Sequence, residues 1–159
     1  MKKICVILLV LIFQFIGFNA CASETQPNTA STTQSIQWKT YDEGLAQGKK
    51  EKKKIFLYFY ASWCGYCRKM DNESFKQENI ISYLNKHFIP IRINTDNDTK
   101  IPAVYGVRGL PANWFLTEEG EKIGQQPGYI PAATLRPFLE YIDTDKYKQM
   151  SFQEFMKSK

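Results

Sequence analysis

A single histidine, His87, stands in a chain of 159 residues that has only four cysteines. Cys5 and Cys21 fall in or beside an apolar N-terminal segment, which leaves Cys64 and Cys67 for the body of the chain. A structural zinc site takes four thiolate or imidazole ligands, so an intramolecular one is not expected. A c-type haem attachment needs histidine directly after the second cysteine, and Arg68 stands there. Internal repeats are absent, which excludes solenoid and propeller architectures. Charge of one sign is in small excess: the net +5 drops by two if Lys2 and Lys3 are removed with a cleaved segment, too little to argue for a nucleic-acid partner. The local run Lys49-Lys50-Glu51-Lys52-Lys53-Lys54 reads as a solvated helix end, where lysines complement the dipole. Asp96 and Asp98 have the look of a calcium loop, but no glycine or later glutamate falls in register, so they read as a solvated loop. His87 reads as a boundary residue, and Trp38 and Trp114 as core or boundary aromatics.

Long apolar runs are missing apart from Ile4 through Phe18, broken only by Gln14 and Gly17. As a helix that run would span ~22 Å against a hydrocarbon core of ~30 Å, short for a stable membrane crossing. With Lys2 and Lys3 before it and Ala20-Cys21-Ala22 after it, residues 1–22 have the layout of an export signal. Three fates are open: cleavage, lipidation at Cys21 as in bacterial lipoproteins, or retention as an uncleaved anchor. All three predict a chain that leaves the cytoplasm, periplasmic or otherwise extracytoplasmic, where disulfides persist. Residues 23–36, rich in Ser, Thr, Gln and Asn, read as a flexible tether. The remainder of the chain is long enough for one domain with a real core and not for two.

The chemistry is concentrated in Trp63-Cys64-Gly65-Tyr66-Cys67, directly after the apolar run Ile55 through Tyr60. Two thiols two residues apart can close a small disulfide ring. A strand leading into them leaves the pair at the mouth of the next helix, beside unpaired backbone N–H groups. Only a thiolate attacks a disulfide, and a free cysteine with pKa ~8.5 is mostly protonated at neutral pH. Helix N-terminal amides, with Arg68 and Lys69 close in sequence, favour the anion at Cys64. Cys67, one turn deeper, is then the resolving thiol. A purely structural disulfide is the plainer reading, but so short a ring gains little from loop closure.

The surrounding elements read as an α/β order with a mixed sheet. Tyr41 to Lys53 forms a first helix with Thr40 as N-cap, followed by the strand Ile55 to Tyr60. Met70 and Phe75 are core-facing in the site helix. Ile80, Ile81, Leu84 and Phe88 keep helical offsets, and Phe88 to Ile93 forms a second strand. A polar loop, a short helical segment at Ile101 to Tyr105 and an antiparallel hairpin of Pro111 to Leu116 with Lys122 to Gln126 come next. Leu135, Phe138, Leu139 and Ile142 mark the last core helix, with Thr134 as cap and Pro137 in the first turn. Ser151 and Glu154 form a capping box for one more short helix.

That order, with Trp-Cys-x-x-Cys after the central strand and Gly109-Leu110-Pro111 before the hairpin, resembles the thioredoxin superfamily from about Gln37 to Ile142. Cys67-Arg68-Lys69-Met70-Asp71, Phe75, Tyr105-Gly106-Val107 and Gly109-Leu110-Pro111-Ala112 look more closely like exported thioredoxin-like proteins related to the periplasmic C-terminal domain of the transmembrane reductant carrier DsbD. The resemblance implies a thioredoxin-like fold over residues 37–143, with 144–159 as a C-terminal helical extension. It implies a cis Leu110-Pro111 bond facing the cysteines, with Trp63, Gly65, Tyr66, Leu110 and Pro111 framing the substrate surface. A cis bond before proline costs only ~0.5–1 kcal/mol and would present the Leu110 backbone to an extended substrate.

Two departures from that family stand out. Thioredoxin keeps a buried carboxylate six residues before the first cysteine, and Tyr58 stands there in this chain. The proton acceptor for Cys67 is thereby unassigned, and Asp71, one turn beyond it, is the candidate by spacing. Gly65-Tyr66 replaces the Gly-Pro of thioredoxin and matches the periplasmic disulfide isomerases, which leaves the direction of electron flow open. Each unit of Cys64 acidification favours the reduced pair by about 1.4 kcal/mol, or a potential about 30 mV more oxidising.

The expected protein is an exported thiol-disulfide oxidoreductase in which Cys64 attacks and Cys67 resolves. It acts as a monomer on protein disulfides, needs no cofactor beyond its own Cys64-Cys67 pair, and is restored by a membrane thiol-disulfide reductant. Alternatives are a disulfide isomerase or oxidase of the same fold and, from another class, a dithiol module handling Cu(I) or Zn(II).

Overall fold

The structure is a computed structural model, and it describes residues 35–159. The export segment, Cys5, Cys21 and nearly all of the tether lie outside the described residues. Among those described, no helix is long and apolar enough to cross a membrane.

The elements run α1 (Tyr41–Glu51), β1 (Lys54–Tyr60), α2 (Gly65–Asn72), α3 (Glu78–His87), β2 (Phe88–Asn94), α4 (Lys100–Val104), β3 (Ala112–Leu116), β4 (Lys122–Pro127), α5 (Ala132–Asp143) and α6 (Phe152–Lys157). A 3-10 turn, Lys146–Lys148, links the last two. The four strands form one sheet in the order β2-β1-β3-β4. β1 is parallel to β2 and antiparallel to β3, and β3 is antiparallel to β4. This is the mixed sheet expected from the sequence.

β1 is a continuous apolar run because it is buried on both faces. Successive side chains alternate between them. Phe56 and Tyr58 enter one core with Met70, Ile80, Leu84, Leu135 and Leu139. Ile55, Leu57 and Phe59 enter the other with Ile89, Ile91, Tyr105 and Leu116. On that second face α1 lies so close to the sheet that Gly44 and Gly48 are buried. A methyl group at Gly44 would overlap the side chain of Ile91.

Helix ends follow local chemistry. The Glu43 carboxylate accepts from the Thr40 hydroxyl at 2.7 Å and from the Thr40 N–H at 3.4 Å, tying down the start of α1 as expected. The Ser151–Glu154 capping box is also present. Lys52 leaves α1 in the left-handed region, so the helix stops at Glu51, two residues earlier than the sequence suggested. The lysine run is only partly a solvated end. Lys54 begins β1, and its ammonium donates to the Asp143 carbonyl at 3.1 Å and pairs with Asp145 at 3.2 Å.

Three further expectations are corrected. Phe75 is in the core, but α2 ends at Asn72, and Phe75 arrives through the following turn. Helix α5 begins at Ala132 after Pro131, so Thr134 is not its cap and Pro137 lies inside the helix. Ile36, assigned to the tether, is buried in the core. The Asn85 amide brackets it, accepting from Gln37 N–H and donating to the Ser35 carbonyl, each at 2.9 Å. In the C-terminal extension Phe152 and Phe155 pack on Tyr141, and Phe152 stacks edge-on against Phe138 at 4.8 Å.

Candidate active site at the N-terminus of α2

Cys64 and Cys67 are joined by a disulfide, with their Cα atoms 5.2 Å apart. Cys64 is the N-cap of α2, and its Sγ accepts a hydrogen bond from the Cys67 N–H at 3.1 Å. A helix N-terminus leaves such amides without intrahelical partners, and here one of them points at the Cys64 sulfur. Both cysteines are buried in the disulfide form, Cys64 with 4% exposure and Cys67 with 1%, so the accessible Cys64 expected from the sequence is not seen in this state.

Trp63 and Tyr66 flank the pair with 71% and 64% of their surfaces exposed, unlike aromatic residues recruited for packing. Leu110-Pro111 is a cis peptide, as the resemblance implied. Ala112 pairs with Phe59, so Pro111 lies at the end of the sheet where β1 runs into the cysteines. Leu110 packs against the core cluster that contains Cys64 and Cys67. Among the described residues no hydrogen bond engages the main chain of Arg108, Gly109 or Leu110. These groups remain available to an incoming strand.

Beneath the pair, Tyr58 is fully buried and its hydroxyl points at the Cys67 carbonyl oxygen, 3.4 Å away. Burial, reinforced by the nearby Asp71 carboxylate, pushes the Tyr58 phenol well above its ordinary range. Tyr58 stays protonated and is no substitute base for a buried carboxylate. Asp71 accepts from Arg92 at 2.7 Å. The Arg92 guanidinium in turn lies 3.9 Å from the centre of the Tyr60 ring. No hydrogen bond joins Asp71 to either cysteine among the described residues.

Asp96 is the residue that sequence reasoning missed. Far from a merely solvated acid, it accepts from the Ser62 N–H at 2.9 Å, the Ser62 hydroxyl at 2.6 Å and the Trp63 indole N–H at 3.0 Å. The Ser62 hydrogen bonds, then that of Trp63, hold its carboxyl below the usual aspartate range. Arg68 closes the same loop from the helix side, donating to the Ser62 carbonyl at 2.9 Å. The signal was the pairing of a strand-end loop with the strand beside it: β1 and β2 are parallel, so the loops after Tyr60 and Asn94 must meet.

A profile described as "Thioredoxin-like domain" matches residues 41–143. The chain belongs to the thioredoxin-like family. Thiol:disulfide interchange protein DsbD of Vibrio vulnificus (strain CMCP6) is 28% identical over 131 residues, covering 79% of this chain and 21% of that protein. This thioredoxin-like chain therefore spans about a fifth of that relative's length. A thioredoxin from Thermus thermophilus superposes with a TM-score of 0.62 at 23% identity, covering 68% of this chain and 87% of that one. The C-terminal domain of Neisseria meningitidis DsbD in the reduced form gives 0.55 at 21% identity, covering 64% and 92%. Both share the thioredoxin fold with this chain.

Proposed function

We propose that this protein is an exported thiol-disulfide oxidoreductase that reduces or exchanges disulfides in extracytoplasmic proteins. The observation that carries the reading is the position of Cys64: a disulfide sulfur at a helix N-terminus, receiving the Cys67 N–H, at the sheet end that also presents cis-Pro111. The interchange activity named for the Vibrio relative supports it.

In the reduced enzyme the Cys64 thiolate attacks one sulfur of a substrate disulfide. A Cys64–substrate bond forms, the substrate S–S bond breaks, and the other substrate sulfur leaves as a thiolate. Cys67 then loses its proton, with Asp71 as acceptor, and attacks Cys64 Sγ. The mixed disulfide breaks, the second substrate thiolate departs, and the Cys64–Cys67 bond closes. Two electrons have passed to the substrate. A dithiol partner, supplied at the membrane, returns two electrons by the same steps in reverse. Trp63, Gly65, Tyr66, Leu110 and Pro111 hold the substrate chain, with the free Leu110 main chain as the edge it pairs with.

The Cys67→Ser variant tests the assignment. It is expected to accumulate a mixed disulfide with substrate protein through Cys64, stable until reductant is added, whereas Cys64→Ser accumulates none. Adducts in neither variant would refute the reading.

A further inference from the structure

A groove of about 520 Å³ opens between the segment Gly106–Ala112 and the end of the edge strand at Gln125, Pro127 and Gly128. It contains cis-Pro111, and neither cysteine lines it. Its character is set by three features. The first is bare backbone, since the Arg108, Gly109 and Leu110 main chains have no hydrogen bond among the described residues.

The second is Gly109. Gly106 and Gly128 have φ of +62° and +82° and need glycine for that reason. Gly109 has no such φ, and a Cβ built on it meets nothing within 4 Å. Nothing inside the fold requires glycine at that position. A missing side chain with no internal reason is what close approach of another backbone needs.

The third is charge. Arg108 is the only charged residue lining the groove, and it is exposed with no ion pair or hydrogen bond among the described residues. No carboxylate lines the groove, and the acids near the site are already engaged: Asp96 by Ser62 and Trp63, Glu73 by Tyr129.

We infer that this groove receives an extended segment of the substrate protein carrying an acidic side chain, whose carboxylate meets Arg108 while its backbone lies along Gly109 and Leu110. The inference rests on the oxidoreductase reading and adds the class of segment selected. Arg108 is thereby a specificity-determining residue.

The test uses two disulfide-linked peptides that differ only in carrying Asp or Lys on one side of the cysteine, with hydroxyethyl disulfide as a small uncharged substrate. Wild-type protein is expected to reduce the Asp peptide with a kcat/KM about threefold above the Lys peptide at low salt, the size of one exposed ion pair, with the ratio falling toward one at about 0.5 M salt. Arg108→Glu should invert the ratio. Gly109→Val should lower kcat/KM for both peptides while Tm stays at or above the wild-type value, since the added side chain enters open space.

A ratio indifferent to Arg108→Glu, with Gly109→Val reducing both peptides at wild-type rates, overturns the inference while active hydroxyethyl disulfide reduction leaves the oxidoreductase reading standing. Wild-type protein inert toward all three substrates overturns both. Self-association that Arg108→Glu abolishes, without any change in the peptide ratio, would assign the groove to a second copy of the chain and likewise overturn the inference.

Discussion

The Arg92 guanidinium closes on the Asp71 carboxylate at 2.7 Å, on the side of α2 that faces the sheet. β1 and β2 are parallel with Tyr58 opposite Arg92, so the position where thioredoxin keeps a buried acid is occupied here by a neutral phenol with a cation beside it. An acid is still present one turn beyond Cys67, but it comes from the helix and not from the strand.

In the disulfide form Cys67 carries no proton to donate, so the proposed transfer to Asp71 belongs to the reduced protein. Asp71→Asn is expected to slow mixed-disulfide resolution by about 100-fold at neutral pH, the usual scale of a lost general base. The deficit should close as pH rises past ~8.5, where the thiol ionises unaided. Stopped-flow measurement of resolution against pH checks this, and an unchanged profile removes Asp71 from the mechanism.

Asp96 makes the loop before Cys64 pH-sensitive in a defined direction. Its folded-state pKa is depressed by the Ser62 and Trp63 hydrogen bonds, so the stabilisation is present above the ordinary aspartate pKa and is lost as pH falls through the depressed value. Trp63 fluorescence in the wild type should change with a midpoint below ~3.9. Asp96→Asn should lack that transition, and at neutral pH its Trp63 emission should already resemble the acid form. A wild-type midpoint at or above the ordinary aspartate value would contradict this.

Gly44 is a packing requirement. It sits so close to Ile91 that a Cβ would overlap both Cγ1 and Cδ1 of that buried side chain. Gly44→Ala is expected to cost about 1–3 kcal/mol through overpacking, against the small gain in helix propensity that alanine usually brings. A urea midpoint equal to the wild type would show that α1 can lift from the sheet without penalty.

The architecture was readable wherever one period or one motif dominated. β1 announced itself as a continuous apolar run because both faces are covered, and the capping residues Thr40 and Ser151 carried their glutamates three positions on. The cysteine pair was legible as a local motif, whereas the cis Leu110-Pro111 bond was implied only by the resemblance to the thioredoxin superfamily. Asp96 was not, since its role depends on β2 lying beside β1, and nothing local to Asp96-Asn97-Asp98 carries that adjacency. The fate of Lys54 was hidden for the same reason, its partners Asp143 and Asp145 lying at the far end of the chain.

Pro137 illustrates the opposite error, in which a local rule was applied and the tertiary structure overrode it. Proline is tolerated in a first helical turn, so Thr134 looked like the cap, yet Ala132, Ala133 and Thr134 are already helical and Pro137 is the sixth residue of α5. Its ring takes the place of an N–H that would bond to the Ala133 carbonyl. The helix persists because Leu135, Leu139 and Ile142 on its inner face are buried in the main core. Interior proline is about 3 kcal/mol less favourable than alanine, and the extra freedom of the unfolded alanine chain takes back ~0.4–1 kcal/mol. Pro137→Ala should therefore stabilise the protein by about 2–2.6 kcal/mol, raising the urea midpoint with an unchanged m-value. A loss of stability would mean that the bend imposed by Pro137 is needed to seat Phe138 between Phe115 and Phe152.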